Sequence, residues 1–355
     1  MKNAFNLIYL LLILTLSFSC DQKQSSKKKI NNSDFVTQLR TDTLKFTSGI
    51  RSILQDKNRN YWFGSLQEGV CLYDGKTITY FTVDDGLSSN QVLTIQEDDK
   101  GNIWFGTAKG MSHYDGDRIT KQAPLLLRKE QSEWMKTEND LWFNAGNSEG
   151  VYRYDGQKLN YLAFPNPKVT NPNNVYFVTC LDAGKHDMVW IGTYAGIYGY
   201  NGRAFTVIND ETLGFKREGE YLHIRSILED SKGRLWIGNN GIGVLLHTEK
   251  STINFSEKMR LIHANSTRMG DPSPVGTLEH VFTIEEDHHG NIWFGDRDSG
   301  IWKFDGESMF NYTTKDGLSD DFAQAIYKDK KGELWFGLSN GAVYTFNGES
   351  FDKKL

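Results

Sequence analysis

Nine polar side chains in this sequence could bind a ligand, and six of them stand eleven or thirteen residues before a tryptophan. Tyrosine and histidine rings stack on sugar faces, and Arg, Gln and Glu hydrogen-bond to hydroxyl groups. We therefore expect binding of a glycan or of a neighbouring protein; alternatively, these are ordinary polar residues that surround water. The nine candidates are Arg51, Gln91, Tyr176, Tyr221, His223, Arg225, Glu279, His280 and Gln324.

Three of these residues also allow a catalytic alternative. His223 and His280, with Glu279, could supply the acid and base of an elimination reaction. The sequence contains no Gly-x-Ser-x-Gly elbow, P-loop, His-Glu-x-x-His or Cys-x-x-Cys motif. We interpret His288-His289 as solvated turn residues. The sequence therefore predicts no catalytic residues, no cofactor and no metal site.

The tryptophans that position these candidates belong to a sevenfold repeat. Each is followed by Phe or Ile and then by Gly, except that Asn144 replaces the glycine once. Successive copies are 38 to 57 residues apart, near the ~40–50 residues of one propeller blade. We predict an all-β chain that forms a single seven-bladed β-propeller of four-stranded antiparallel blades. The second strands should contain Trp62, Trp104, Trp142, Trp190, Trp236, Trp293 and Trp335.

Three further features recur at nearly constant distances from these tryptophans. A small residue stands ten positions before most of them, and Asp stands six positions before five of them. Lys136 and Gly184 replace that Asp in blades three and four. An Asp-Gly or Asn-Gly turn follows each tryptophan except in blade five, where His247-Thr248 predicts a different turn. Positions eleven and thirteen before the tryptophan differ among repeats, as an asymmetric ligand would require.

The repeat also resembles a known family. Residues 98–107 (DDKGNIWFGT), Gly110, residues 114–116 (Tyr-Asp-Gly) and the Asp-Gly-Leu links at 85–87 and 316–318 resemble the two-component-regulator propeller repeat. The resemblance covers residues 45 to 355. It implies a sensor propeller like the periplasmic halves of hybrid two-component systems, which detect glycans.

Other functions remain open beside sensing. One is a protein-interaction scaffold without a small ligand. The other is a lyase of the streptogramin-lyase type, which the chain resembles in blade number only. The sequence carries no kinase or output domain, so we expect any signal to pass through another protein.

The N-terminal segment predicts export. The apolar run from Leu7 to Leu16 is too short for a membrane-spanning helix and is typical of a signal peptide at residues 1–19. Cys20 resembles a lipoprotein cleavage site, which predicts a lipid anchor to the cell envelope on the periplasmic side or at the cell surface; a plain secreted protein is the alternative. Residues 20–41 form the lipidated cysteine and a flexible tether, and residues 42–355 form the propeller.

Composition excludes some partners and suggests how the ring closes. The formal net charge is −5 and the repeats contain no basic tract, so nucleic acid is not an expected partner. We expect a monomer, with Cys71 and Cys180 as buried apolar residues and not a disulfide. Residues 43–47 resemble outer-strand sequence, so we expect them to pair with the last blade near residues 350–351.

Overall fold

The computed structural model describes residues 40–123, 133–146, 148–165, 176–184, 188–213, 222–263 and 272–355. Their strands form seven separate antiparallel sheets in chain order. The predicted seven-bladed, all-β propeller is therefore confirmed. The signal peptide, Cys20, most of the tether and Tyr221 lie outside the described residues. Within the described part, no helix has the length and apolar character needed to cross a membrane.

The blades follow the sequence repeats one by one. In the first three, the strands are β1 (Arg40–Thr41), β2 (Ile50–Gln55), β3 (Tyr61–Ser65), β4 (Val70–Tyr73) and β5 (Ile78–Phe81); β6 (Val92–Glu97), β7 (Ile103–Thr107), β8 (Gly110–Tyr114) and β9 (Ile119–Gln122); and β10 (Leu141–Asn144), β11 (Gly150–Tyr154) and β12 (Leu159–Ala163). Residues 124–132, where the inner strand of blade three is expected, are not among the described residues.

Each of the last four blades has four described strands. These are β13 (Val178–Asp182), β14 (Val189–Thr193), β15 (Gly196–Tyr200) and β16 (Phe205–Asn209); β17 (Ile224–Glu229), β18 (Leu235–Asn239), β19 (Val244–His247) and β20 (Thr252–Asn254); β21 (Val281–Glu286), β22 (Ile292–Asp296), β23 (Ile301–Phe304) and β24 (Met309–Tyr312); and β25 (Ala323–Lys328), β26 (Leu334–Leu338), β27 (Val343–Phe346) and β28 (Phe351–Lys353). One short helix, α1 (Phe255–Lys258), follows β20, and two 3-10 turns (Val83–Asp85, Thr314–Asp316) link blades.

The aspartate six residues before the tryptophan closes the turn that precedes the second strand. In blade two, Asp98 Oδ2 accepts the indole N–H of Trp104 at 3.0 Å. Its Oδ1 accepts the backbone N–H groups of Lys100 and Asn102 at 3.0 and 2.9 Å. The same indole bond recurs in blades one, five, six and seven. One carboxylate therefore fixes both the turn and the core tryptophan of its blade.

Blade four departs from this rule, and its packing shows why. The indole N–H of Trp190 donates to Glu229 Oε2 of blade five at 2.8 Å. Gly184 replaces the aspartate, and a Cβ there would lie only 2.5 Å from that carboxylate oxygen. A neighbouring blade thus supplies the acceptor that the blade itself lacks.

The predicted hairpin turns are confirmed. Asp115 Oδ1 accepts the N–H groups of Asp117 and Arg118 at 3.0 and 2.9 Å, and Gly116 has φ of +100°, a value that favours glycine. Blade five has the different turn expected there: Thr248 Oγ1 accepts the N–H of Ser251 at 3.2 Å.

Ring closure differs from the prediction. Residues 40–41 form β1, which pairs with β5 of blade one, while β28 pairs with β27 inside blade seven. The expected strand pairing of residues 43–47 with residues 350–351 is not formed, although Phe46 packs with Trp335 and Val343 of blade seven in one core cluster.

Side-chain packing closes the ring instead. The rings of Tyr61 and Trp335 lie 4.1 Å apart, and the Tyr61 hydroxyl donates to Asp329 Oδ2 at 2.7 Å. A Cβ on Gly337 would lie 2.6 Å from Ile50 Cβ, so the glycine allows blade seven to approach blade one closely. The junction between the first and last blades thus uses side-chain contacts and no exchanged strand.

The hydrophobic core lies between neighbouring blades. Each described cluster combines the tryptophan-bearing strand of one blade with strands of the next. Cys71 is fully buried in one such cluster, as predicted. Cys180 is only partly buried, because it faces the space at the ring axis. Both cysteines are free thiols.

Candidate functional site

The inner strands surround an axial cavity of about 620 Å³. All six described residues at the position eleven before the tryptophan line it, and so do all six described residues at the position ten before it. The first set consists of Arg51, Leu93, Thr179, Arg225, Phe282 and Gln324; the second consists of Ser52, Thr94, Cys180, Ser226, Thr283 and Ala325. The cavity wall thus carries cationic, amide, hydroxyl, thiol and aromatic groups at symmetry-equivalent places.

In five of the blades, one equivalent backbone hydrogen bond shapes the rim of this cavity. The carbonyl thirteen residues before the tryptophan accepts the N–H of the residue four after it, as in Gln91 O with Ala108 N at 3.1 Å and His223 O with Asn240 N at 2.9 Å. Blades one, six and seven repeat the bond. These two positions therefore lie together at the mouth, where Gln91 and Phe177 reach the cavity.

Tyr194 is a cavity residue that sequence reasoning missed. It stands four residues after Trp190, the rim position just described, so the repeat register itself carried the signal. Its ring lies 4.6 Å from the His223 ring and 5.2 Å from the Arg225 guanidinium carbon. It joins two blades at the mouth.

Arg51 extends across the axis from blade one. Its Nη1 donates to the Gln324 carbonyl at 3.5 Å and its Nη2 to the Thr179 carbonyl at 3.3 Å, which are contacts with blades seven and four. Burial and the Arg225 charge lower the pKa of Arg51 below its ordinary value. The two guanidinium groups are therefore near enough to repel each other.

Arg225 is held between rings and not by a carboxylate. Its guanidinium carbon lies 5.2 Å from the centre of the Tyr194 ring and 4.9 Å from that of the Phe282 ring, both within cation–π range. Its Nε is buried and has no hydrogen-bond partner among the described residues. The same holds for Oε1 of Gln324, whose side chain lies against Gly49, where a Cβ would be 1.8 Å from that oxygen.

Glu279 and His280 lie in a buried network away from the cavity. They are 0% and 1% exposed, and Asp296 Oδ2 accepts both of their backbone N–H groups. Glu279 Oε1 accepts the His263 N–H, and His280 Nδ1 lies 3.2 Å from Asp298 Oδ2. These contacts hold the long link between blades five and six, so neither side chain is placed to touch a ligand.

Some of the remaining candidates line the cavity and others are enclosed in the fold. Tyr176 is 5% exposed and packs among core aromatics such as Tyr198, so it does not reach the cavity. His223 packs on Tyr194 behind the mouth. Burial, with repulsion from Arg225, lowers the pKa of His223 to about 3, which leaves it neutral. The structure thus brings Arg51, Gln91, Arg225 and Gln324 together at the cavity.

The described residues contain no group of three His, Cys, Asp or Glu side chains that could hold a metal ion. The trio of His223, Glu279 and His280 has two members enclosed in the fold, so the arrangement expected for an elimination does not face the cavity.

A partly buried ion pair lies further along the inner strands, away from the mouth. Glu285 lies three residues beyond Phe282 on β21, roughly 10 Å further along the strand. Its Oε1 is 3.7 Å from Lys328 Nζ, and burial raises its pKa to about 7. Glu285 is not among the residues that line the cavity.

Comparison with protein families gives one match. The two component regulator propeller family matches residues 86–109, 220–241 and 317–340, which span parts of blades two, five and seven. A search of curated proteins found no match.

Solved structures show the same fold. The extracellular domain of a protein described as a hybrid two component system from B. thetaiotaomicron is 22% identical with a TM-score of 0.62, over 85% of this chain and 39% of that one. A second such domain from the same organism is 19% identical with a TM-score of 0.58, over 86% and 39%. The chain thus spans about two fifths of these proteins.

A third similar structure, virginiamycin B lyase from Staphylococcus aureus, is 14% identical with a TM-score of 0.60, over 86% of this chain and 97% of that one. At such identities the structural likeness concerns the fold alone. The family match adds the repeat type, and it falls on the blade segments that carry the tryptophan and its aspartate. This chain is therefore a seven-bladed β-propeller in which blades two, five and seven match the two component regulator propeller family.

Proposed function

We propose that this chain is a noncatalytic, exported and membrane-tethered sensor propeller that binds a glycan or a partner protein at its axial cavity. One observation carries the proposal. Six symmetry-equivalent positions of the wall hold Arg, Leu, Thr, Arg, Phe and Gln, whereas the turns and core of the same blades repeat closely. A wall that only had to fill space would not need this asymmetry.

The size and chemistry of the cavity support ligand binding. Its volume of about 620 Å³ lies within the ~300–1,000 Å³ typical of small-molecule sites. Phe177, Tyr194 and Phe282 offer ring faces, and Arg51, Arg225 and Gln324 offer polar groups. Apolar walls with a few convergent polar groups are the usual composition of such sites.

The sensing role is supported by the repeat family and by the likeness to extracellular domains of proteins described as hybrid two component systems. We propose that ligand occupancy is passed to a partner protein. The proposal includes no lyase chemistry, because Glu279 and His280 are buried in the fold.

The membrane tether rests on the sequence. We propose that Cys20 becomes the lipidated first residue of the mature protein. Cys20→Ala should move the protein from the membrane fraction to the soluble fraction, as measured by fractionation and immunoblotting. A variant that stays in the membrane fraction would show that the tether is something else.

Binding can be tested with the full chain and a glycan panel. For any glycan that binds, Arg225→Ala should weaken binding by about 1–3 kcal/mol, because the ligand loses a hydrogen-bonding charged group. Lys232→Ala, in an exposed turn at the other end of the inner strands, is the matched control and should leave affinity unchanged. Loss of affinity at Lys232 with retention at Arg225 would move the functional surface to the other face, and a panel with no binder would favour the interaction scaffold.

A further inference from the structure

Two cationic side chains, Arg51 of blade one and Arg225 of blade five, line the axial cavity. No Asp or Glu is found among the described lining residues. Burial, together with the Arg225 charge, lowers the pKa of Arg51. The described part of the cavity wall therefore carries positive charge with no acidic side chain beside it.

The hydrogen-bond donors of these arginines are incompletely used. The two hydrogen bonds of Arg51 are long, at 3.3 and 3.5 Å, and both go to neutral backbone carbonyls. The Arg225 guanidinium lies over the faces of the Tyr194 and Phe282 rings, and its buried Nε has no partner in the described part of the chain. Guanidinium groups form their strongest hydrogen bonds with carboxylate, sulfate-like or phosphate oxygens.

The acidic residues at the far end do not balance this charge. Glu285 stands roughly 10 Å further along β21 than Phe282 and is close to its own cation, Lys328. Glu285 is therefore both distant from the arginines and paired with Lys328. An anion entering from the mouth would meet the arginines first.

We propose, building on the function proposed above, that the ligand is an acidic saccharide whose carboxylate or sulfate group binds Arg51 and Arg225. Its ring would lie against Tyr194 or Phe282, which flank Arg225 at 5.2 and 4.9 Å. The side-chain amide of Gln324, which also lines the cavity, would hydrogen-bond to a sugar hydroxyl. The anionic group of the saccharide would thus bind the two arginines. Its hydroxyl would bind the Gln324 amide, and its ring would stack on an aromatic side chain.

The first test compares three probes by calorimetry on the full chain: trigalacturonate, a sulfated chondroitin disaccharide and neutral maltotriose. At least one acidic probe should bind about tenfold or more tightly than maltotriose, and its affinity should fall with added salt. Arg51→Gln and Arg225→Gln should each reduce that affinity about tenfold or more. Arg203→Gln, at an exposed turn, is the matched control and should change nothing.

The sulfated chondroitin disaccharide also carries a uronate carboxylate, so comparison with the same disaccharide without its sulfate distinguishes a sulfate from a carboxylate ligand. Equal binding of maltotriose, or unchanged affinity in both cavity variants, would overturn the anionic assignment while leaving a glycan-binding function intact. Failure of all three probes would also overturn it, and the broader glycan panel would then decide the proposed function separately.

The second test needs no ligand. Because Arg51 is close to another cation and has no carboxylate partner, Arg51→Gln should leave the melting temperature of the unliganded protein unchanged or raised. Inorganic sulfate, compared with chloride at equal ionic strength, should stabilise the wild type more than this variant. A clearly lower melting temperature for Arg51→Gln, with an equal sulfate effect, would show that Arg51 is a structural residue and would overturn the proposal.

Discussion

Glu285 should make the stability of this propeller fall as the pH rises towards neutrality. Its side chain is 22% exposed and lies on β21, away from the mouth of the cavity. Burial raises its pKa from an ordinary 4.5 to about 7, although Lys328 at 3.7 Å favours the charged form. The folded chain therefore holds a proton on Glu285 more tightly than the unfolded chain does.

The sign follows from proton linkage. The stabilisation is fully present below pH 4.5, where both states are protonated, and it is lost as the pH rises through about 7. The pKa difference, 7 minus 4.5, multiplied by ~1.4 kcal/mol per unit, gives about 3–4 kcal/mol for the whole interval. This is a large share of the ~5–15 kcal/mol stability of an ordinary domain.

Glu285→Gln removes the titration and keeps much of the local geometry. The amide oxygen can still accept the Glu286 N–H, which lies 3.0 Å from Oε1 in the native chain. At pH 8 the variant should be more stable than the wild type by up to about 3–4 kcal/mol, less ~0–1 kcal/mol for the lost attraction to Lys328. At pH 5 most of this difference should be absent.

Urea unfolding followed by tryptophan fluorescence at both pH values measures these free energies. Glu349→Gln, in an exposed turn of blade seven, is the matched control and should follow the wild type at each pH. Equal pH dependence in Glu285→Gln and the wild type, or a variant that is less stable at pH 8, would refute the burial argument.

Three substitutions test the blade contacts. Asp230→Ala should lower the free energy of unfolding by about 2–3 kcal/mol, because its buried carboxylate accepts the Trp236 indole N–H and two backbone N–H groups. The control is Asp117→Ala in an exposed turn. Equal stability of the two variants would contradict this role of Asp230. Tyr61→Phe should cost about 1 kcal/mol in urea unfolding by removing the 2.7 Å bond to Asp329, and an unchanged midpoint would argue against that bond. Gly337→Ala should lower the melting temperature, since a Cβ would lie 2.6 Å from blade one; wild-type stability would disprove close packing there.

The sequence predicted the fold because each blade is specified locally. The aspartate before each turn, the tryptophan of the second strand and the Asp-Gly hairpin act within a few residues of one another, as Asp98, Trp104 and Gly116 show. Even the departures were informative: Gly184 marked the blade whose indole uses a neighbour's carboxylate. Ring closure was mispredicted because similarity to outer-strand sequence does not reveal which edge is already paired.

The cavity wall was predictable to the extent that it follows the repeat register. Counting eleven residues back from each tryptophan found Arg51, Arg225 and Gln324 at the axis. The register could not say that Glu279 and His280 would be enclosed by the long link between blades five and six. That outcome depends on contacts with Asp296 and Asp298, which belong to a different strand and turn.

The sequence by itself thus determined the number of blades, their turns and the positions that face the axis, because these depend on short-range hydrogen bonds and a fixed period. Only the tertiary structure decided which polar groups at those positions meet. Arg51 of blade one and Arg225 of blade five are 174 residues apart (225 minus 51), yet both line one cavity because the ring brings all inner strands to a common axis. Their mutual repulsion arises from that geometry.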